Sequence, residues 1–254
     1  MGGQFGGRSV TGRALAILGS FDAGHPRLSL SDIARRTGIP LSTTFRLVAE
    51  LEQWRALDRE ADGRYTVGFR VWELGRLAPV NGVIREAAMP FMQDLYELTR
   101  ENVHLAGRDG DEAVYLEKLT GHRAVPILSR VGGRLPLHAT GVGKALLAAA
   151  PVAFRAAYLR GPLVRVTPYT LVDPARLARE IEVVRRRGWA RTSEEMSLGS
   201  CSVAVNVPGT GAALGLVVHS VRRDLDRWVP ALQRAAAGMA RRLDTQPDHC
   251  AEAR

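Results

Sequence analysis

The feature that most constrains this chain is a pair of short helices around a glycine turn, followed at once by a hairpin. Ser29-Leu30-Ser31-Asp32 has the S-x-x-D spacing of a capping box and opens a helix running to Thr37, where Gly38 stops it. After Gly38-Ile39-Pro40-Leu41, Ser42 is expected to cap a further helix, with Phe45, Val48 and Leu51 turned inward and Thr43, Arg46 and Glu50 on the other side. An earlier helix is expected from Val10, because Val10, Ala14, Ile17, Leu18 and Phe21 recur on one face before Gly24-His25-Pro26. Asp62-Gly63 is a hairpin turn signal between Arg55–Arg59 and Arg64–Val67, so a two-stranded wing with Arg64 near its tip follows.

Two helices around a turn, then a wing, are the parts of a winged helix-turn-helix. Its second helix can enter a DNA major groove by its amino end, where small polar side chains and free N–H groups reach phosphates and base edges. Ser42, Thr43, Thr44, Arg46 and Arg64 are the expected DNA contacts. Hydroxyls at a helix start are also ordinary caps. The wing makes the DNA reading the more economical one.

Charge alone does not decide the matter. The net charge of +9 suits a polyanionic partner, yet 33 of the 35 basic residues are arginine, a pattern that proteome-wide bias also produces. The location is more informative, since residues 1–49 hold six arginines against Asp22 and Asp32. A 46% hydrophobic composition suits a globular core, and no run of 18 apolar residues or secretory leader is present, so the expected compartment is the cytoplasm. Cys201 and Cys250 are too few for a disulfide framework or a thiolate zinc site.

Past residue 68, a helix is expected from Phe69 to Ala78. Pro79-Val80-Asn81-Gly82 is then expected to interrupt it before Ile84 to Leu98 resume a helical period, in which Met89, Phe91 and Met92 read as packing residues. Val103–Arg108 and Ala113–Leu119 bracket one antiparallel turn, and Ser202–Val207 and Ala213–His219 another, with helices near 143–150, 152–158 and 174–187 between them. The fold class is α+β in two domains. The expected division is 8–71 for the winged helix, 72–247 for the linker helix and second domain, and 248–254 for a disordered tail.

His138-Ala139-Thr140-Gly141-Val142-Gly143-Lys144 carries the most suggestive chemistry in the second half. It is no nucleotide P-loop, which needs Gly at 138 and a hydroxyl at 145. Thr140 can still cap a helix, and Gly141 and Gly143 let backbone N–H groups approach an anion such as a carboxylate. The same glycines also suit a turn packed closely against a sheet, and both readings stand.

The chain resembles the IclR family of bacterial transcription regulators. The likeness runs in order through SVTGRALAIL, LSLSDIARRTGIPLSTTFRLVAELE, DGRYTVG, VHLAGRDGDEAVYLEKL, SRVGGRLPLHATGVGKALLA and SEEMSLGSCSVAVNVP. The resemblance implies a GAF-like second domain with an effector pocket over its sheet, at Gly141, Val142, Thr192, Ser200, Ser202, Val217 and His219. It also implies a homodimer or homotetramer, with the first helix and the linker pairing the DNA-binding parts. The expected activity is binding of double-stranded operator DNA, usually in repression, modulated by a small-molecule effector that shifts the linker helices.

Several positions depart from the family pattern. Leu41 stands where members often carry Lys or Arg. Members that take very small oxo-acids have an acidic residue at the place of Thr192, cysteine at Ser202, and serines at Val217 and His219. These changes imply a different ligand, a larger or aromatic organic acid. Two other readings are open to the sequence: a signalling module whose winged helix binds a protein, and an enzyme gathering Cys201, His138, His219 and Glu194-Glu195 around a cleft. No nucleophile elbow or metal-ligand motif supports the enzyme, so no catalytic residue, metal or cofactor is expected.

Overall fold

The computed structural model describes residues 9–22, 24–77, 79–121, 129–221 and 224–245, with residues 79–82 given as backbone only. The 248–254 tail lies outside the described residues. The chain divides into two compact units, Met1–Ala78 and Pro79–Arg254.

In the first unit, α1 (Val10–Leu18), α2 (Leu30–Thr37) and α3 (Leu41–Gln53) precede the strands β1 (Leu57–Arg59) and β2 (Tyr65–Val67) and a final helix α4 (Phe69–Arg76). The Ser29 hydroxyl accepts the Asp32 N–H at 3.1 Å and the Asp32 carboxylate accepts the Ser29 N–H at 3.2 Å, completing the expected capping box. The Ser29 hydroxyl also donates to the Asp32 carboxylate at 2.7 Å, and this bond first, then that from the Ser29 N–H, holds the Asp32 carboxyl below its ordinary range. Ile17, Ile33, Leu47, Val48, Leu57 and Tyr65 share one core. α1 is shorter than its apolar period suggested, because Gly19 caps it and leaves Phe21 beyond its end.

α3 also differs from expectation. Pro40, not Ser42, occupies the cap, and its carbonyl accepts the Thr44 N–H at 2.9 Å. Thr44 turns fully inward because its hydroxyl donates to the Ile39 and Pro40 carbonyls at 3.2 and 3.1 Å. Phe45, expected inside, is 60% exposed, and Leu47 joins Val48 in the core instead. A threonine able to satisfy its own hydroxyl next to the helix start can be buried more cheaply than its polarity suggests.

The second unit is built on one antiparallel sheet of six strands, ordered β5-β4-β3-β8-β7-β6. Its strands are β3 (Asn102–Asp109), β4 (Glu112–Leu119), β5 (Arg134–Pro136), β6 (Ala190–Ser193), β7 (Ser200–Val207) and β8 (Ala212–His219). Both expected hairpins form. The helices are α5 (Pro79–Thr99), α6 (Gly141–Ala149), α7 (Val152–Arg160), α8 (Pro174–Arg187) and α9 (Val229–Asp244). The expected break at 79–82 is instead the first turn of α5, with Pro79 at its start, a position that needs no N–H partner. The short strands β5 and β6 and the helix α9 were not anticipated, although Val229, Leu232, Ala235, Ala236 and Met239 already carry a helical period.

Strand alternation sorts the side chains onto two faces. Val103, Leu105, Val203, Val205, Leu214 and Leu216 pack with Met92, Leu95, Leu232 and Met239 of α5 and α9. The opposite face presents small residues, Ala106, Ala113, Ala204 and Ala213, to Val142 and Leu147 of α6 and to Leu177 and Ile181 of α8. Those short side chains bring α6 close enough to the sheet to matter for the site.

Candidate functional site

On the first unit, the exposed side of α3 carries Ser42 and Arg46, with Thr43 half-buried beside them. The inward Thr44 cannot offer its side chain to a partner, which corrects its expected DNA contact. No ion pair engages Arg46 among the described residues. Arg64 is exposed at the wing, where the Asp62 carboxylate accepts its backbone N–H at 3.1 Å and lies 3.8 Å from its Nε. Arg27 is held by Glu60 and, at 3.1 Å, by Asp62, so the loop between the wing strands is tied down by its acids.

The second unit contains a cavity of about 490 Å³, mouth included, between the start of α6 and the small-residue face of the sheet. Gly141, Val142, Thr192, Ser200, Ser202 and Val217, six of the seven positions taken from the family resemblance, line this one cavity. His219 does not. It follows Val217 on the same face of β8 but lies at the strand's end, exposed, with its Nδ1 accepting the Val221 N–H at 3.3 Å.

The close packing expected of the glycines is explicit in the geometry. A Cβ on Gly143 would lie 2.3 Å from the Leu137 carbonyl oxygen, and one on Gly141 would lie 2.4 Å from the Ser202 hydroxyl. Close packing therefore demands both glycines. The same approach aims the first turn of α6 at the cavity, where its N–H groups lack intrahelical partners and the helix dipole favours negative charge. Thr140 caps that turn, its hydroxyl accepting the Gly143 N–H at 3.1 Å.

The walls mix hydroxyl and apolar side chains and carry no charged one. Thr192 and Ser202 share a hydroxyl contact of 2.5 Å, and Ser200 donates to the Ser197 carbonyl at 2.8 Å. His104, Tyr115, Ser129, Met196 and Ser197 complete much of the lining and were missed as site residues. The His104 Nε2 lies 3.2 Å from the Ser129 hydroxyl. Burial, aided by the Lys118 charge, pushes its pKa down to about 3, so the ring is neutral at physiological pH. Burial likewise raises the Tyr115 phenol. Alternation on β3, which puts His104 opposite to Val103 and Leu105, was the available signal.

Behind this wall, Lys144 of α6 is almost wholly buried and its Nζ lies 2.7 Å from Glu195 Oε1. Burial raises the Glu195 carboxyl, against the pull of Lys144. Thr167 and Thr170 donate to the Glu194 and Glu195 carbonyls, each at 2.7 Å. These bonds hold the loop that brings Met196 and Ser197 to the cavity. The residues weighed for an enzyme are scattered instead. Cys201 belongs to the α5/α9 core, His219 is exposed, and His138 is held by Tyr158 Oη at 2.8 Å and the Val164 carbonyl at 3.0 Å. Among the described residues there is no metal-ligand cluster, and no helix long and apolar enough to cross a membrane.

Comparisons with known proteins agree with this arrangement. The IclR helix-turn-helix domain matches residues 10–61, and the bacterial transcriptional regulator IclR C-terminal domain matches residues 80–245. The chain is 34% identical over 240 residues to the HTH-type transcriptional regulator XynR of Escherichia coli K12, covering 91% of this chain and 95% of XynR. It is also 34% identical over 229 residues to the HTH-type transcriptional repressor AllR of the same strain, covering 88% and 84%. Among solved structures, an IclR homologue from Microbacterium hydrocarbonoxydans complexed with 4-hydroxybenzoate is similar with a TM-score of 0.89 and 33% identity, over 94% of this chain and 100% of that one. Helix-turn-helix, sheet domain and relatives thus converge, and the chain belongs to the IclR family of bacterial transcription regulators.

Proposed function

We propose that this regulator represses transcription from operator DNA gripped by α3 and the wing, and that a small organic acid in the cavity modulates that grip. The observation that carries the reading is the cavity itself: walls without a charged side chain, in which the Ser202 and Thr192 hydroxyls stand among apolar groups, entered by the amino end of α6. Such a site has no cationic side chain to neutralise a ligand, so helix-end N–H groups and hydroxyls supply its recognition, which suits a single carboxylate. Ser42, Thr43 and Arg46 on α3 and Arg64 on the wing make the DNA contacts in this reading. The complex of the Microbacterium homologue makes aromatic acids the first ligands to try.

The regulator acts in the cytoplasm as a homodimer or homotetramer. Apolar side chains exposed on α1, Val10 and Leu15, and on α4, Phe69, Trp72 and Leu74, support pairing of its DNA-binding parts. Effector binding then shifts the population of linker arrangements, and with it the spacing of two recognition helices on a dyad-related operator.

Titration calorimetry with 4-hydroxybenzoate, benzoate, pyruvate and the neutral amide of each tests the effector. One of the acids is expected to bind, and its amide at least about tenfold more weakly, because only the acid carries the charge the helix end favours. Tight binding of a neutral or cationic metabolite with no binding of any acid would overturn the reading.

A further inference from the structure

Resting on the reading of α3 as the helix that enters operator DNA, we propose that Leu41 and Phe45 read thymine methyl groups in the major groove, giving this regulator an apolar component of operator specificity beside its polar contacts. At 100° per residue, Leu41, Phe45, Ala49, Ser42 and Arg46 fall within an arc of about 140° on α3. All five are exposed, Leu41 by 52% and Phe45 by 60%. The opposite side of the helix, with Thr44, Leu47 and Val48, is fully committed to the core of the unit.

Phe45 is therefore not a core residue displaced by accident of packing. The inward place beside it is filled by Thr44, whose hydroxyl bonds to two carbonyls. What remains is an aromatic ring and a leucine on the face that also offers Ser42 and the Arg46 guanidinium. That guanidinium has no carboxylate partner among the described residues, and α3 has no acidic residue in its first turn. A face combining a free cation with apolar side chains matches the major groove, where phosphates flank base edges and thymine alone presents a methyl group. A second copy of the chain would bury the apolar pair but leave Arg46 facing its own like charge. A groove occupied by DNA satisfies both.

The experiment uses the full chain. Its binding site is selected from random duplexes, and each thymine is then replaced singly by deoxyuridine, which deletes only the C5 methyl. The wild type is expected to lose about fourfold in affinity at one or two positions, the factor expected for burying one methyl-sized group. Phe45→Ala is expected to lose a similar factor on the thymine site and nothing further on the matching uracil site. Leu41→Ala is expected to do the same at a neighbouring position. Phe45→Gln serves as a second variant, with circular dichroism confirming the fold of each. Equal uracil penalties in wild type and both Phe45 variants at every position would overturn the proposal. So would a change in sedimentation mass with uracil sensitivity unaltered, which would assign the face to contact between copies.

Discussion

The two faces of the six-stranded sheet are made by the same strands yet do opposite work. On β7, Cys201, Val203 and Val205 enter the α5/α9 core, while Ser202 and Ala204 between them line the cavity under α6. Large aliphatic side chains fill the first face, and alanine, glycine and hydroxyl residues leave space on the second. Alternation by one residue is enough to separate the part that secures the fold from the part that lines the cavity. Stability should therefore be sensitive to volume on one face, and binding to polarity on the other.

The sharpest challenge to that division is the buried pair that props the cavity wall. Lys144→Met should cost about 3–5 kcal/mol in denaturant unfolding, because it strands the Glu195 carboxylate away from water. Lys144→Met with Glu195→Leu should recover most of it, and failure to recover would mean that the pair serves more than mutual neutralisation. Next in size, Leu216→Ala on the α5/α9 face should cost about 3 kcal/mol by opening a void in a fully buried position. Ser202→Ala, on the same sheet, should change stability by less than about 1 kcal/mol while weakening the acid. If the two substitutions cost the same, the faces are not functionally distinct.

A pH titration separates the faces in another way. His104 has a folded pKa of about 3, below its ordinary value, so the unfolded chain binds the extra proton as pH falls. Its contribution is intact above about pH 6.5 and is lost on acidification at up to about 1.4 kcal/mol per pH unit. Thermal unfolding from pH 7 to 4.5 should show that slope, flattened in His104→Gln. An unchanged slope in the variant would mean that His104 is already open to solvent through the cavity.

Much of this organisation was legible in the sequence because it is local. The Ser29–Asp32 box, the Asp62-Gly63 wing and the two hairpins of the sheet each depend on residues a few positions apart. The cavity was legible only in part. Its α6 and β7 positions came through a family motif, whereas His104, Tyr115 and Ser129 converge on it from separate strands and a loop that periodicity cannot bring together. Phe45 and Thr44 exchanged places for a further reason: polarity predicts exposure only until a side chain finds its own hydrogen bonds. His219 shows the complementary failure, in which the correct face of a strand extends past the end of the site.

The central claim is that the small-residue face holds the effector that controls DNA binding. Operator affinity measured against increasing organic acid, in wild type and in Ser202→Leu, tests it most directly. The wild type should lose operator affinity as the acid saturates the cavity. Ser202→Leu, which puts a larger apolar side chain where the Ser202 hydroxyl lines the cavity, should bind operator equally well without acid and ignore the acid when it is added. A Ser202→Leu variant that releases operator at the same acid concentration as the wild type would contradict the account.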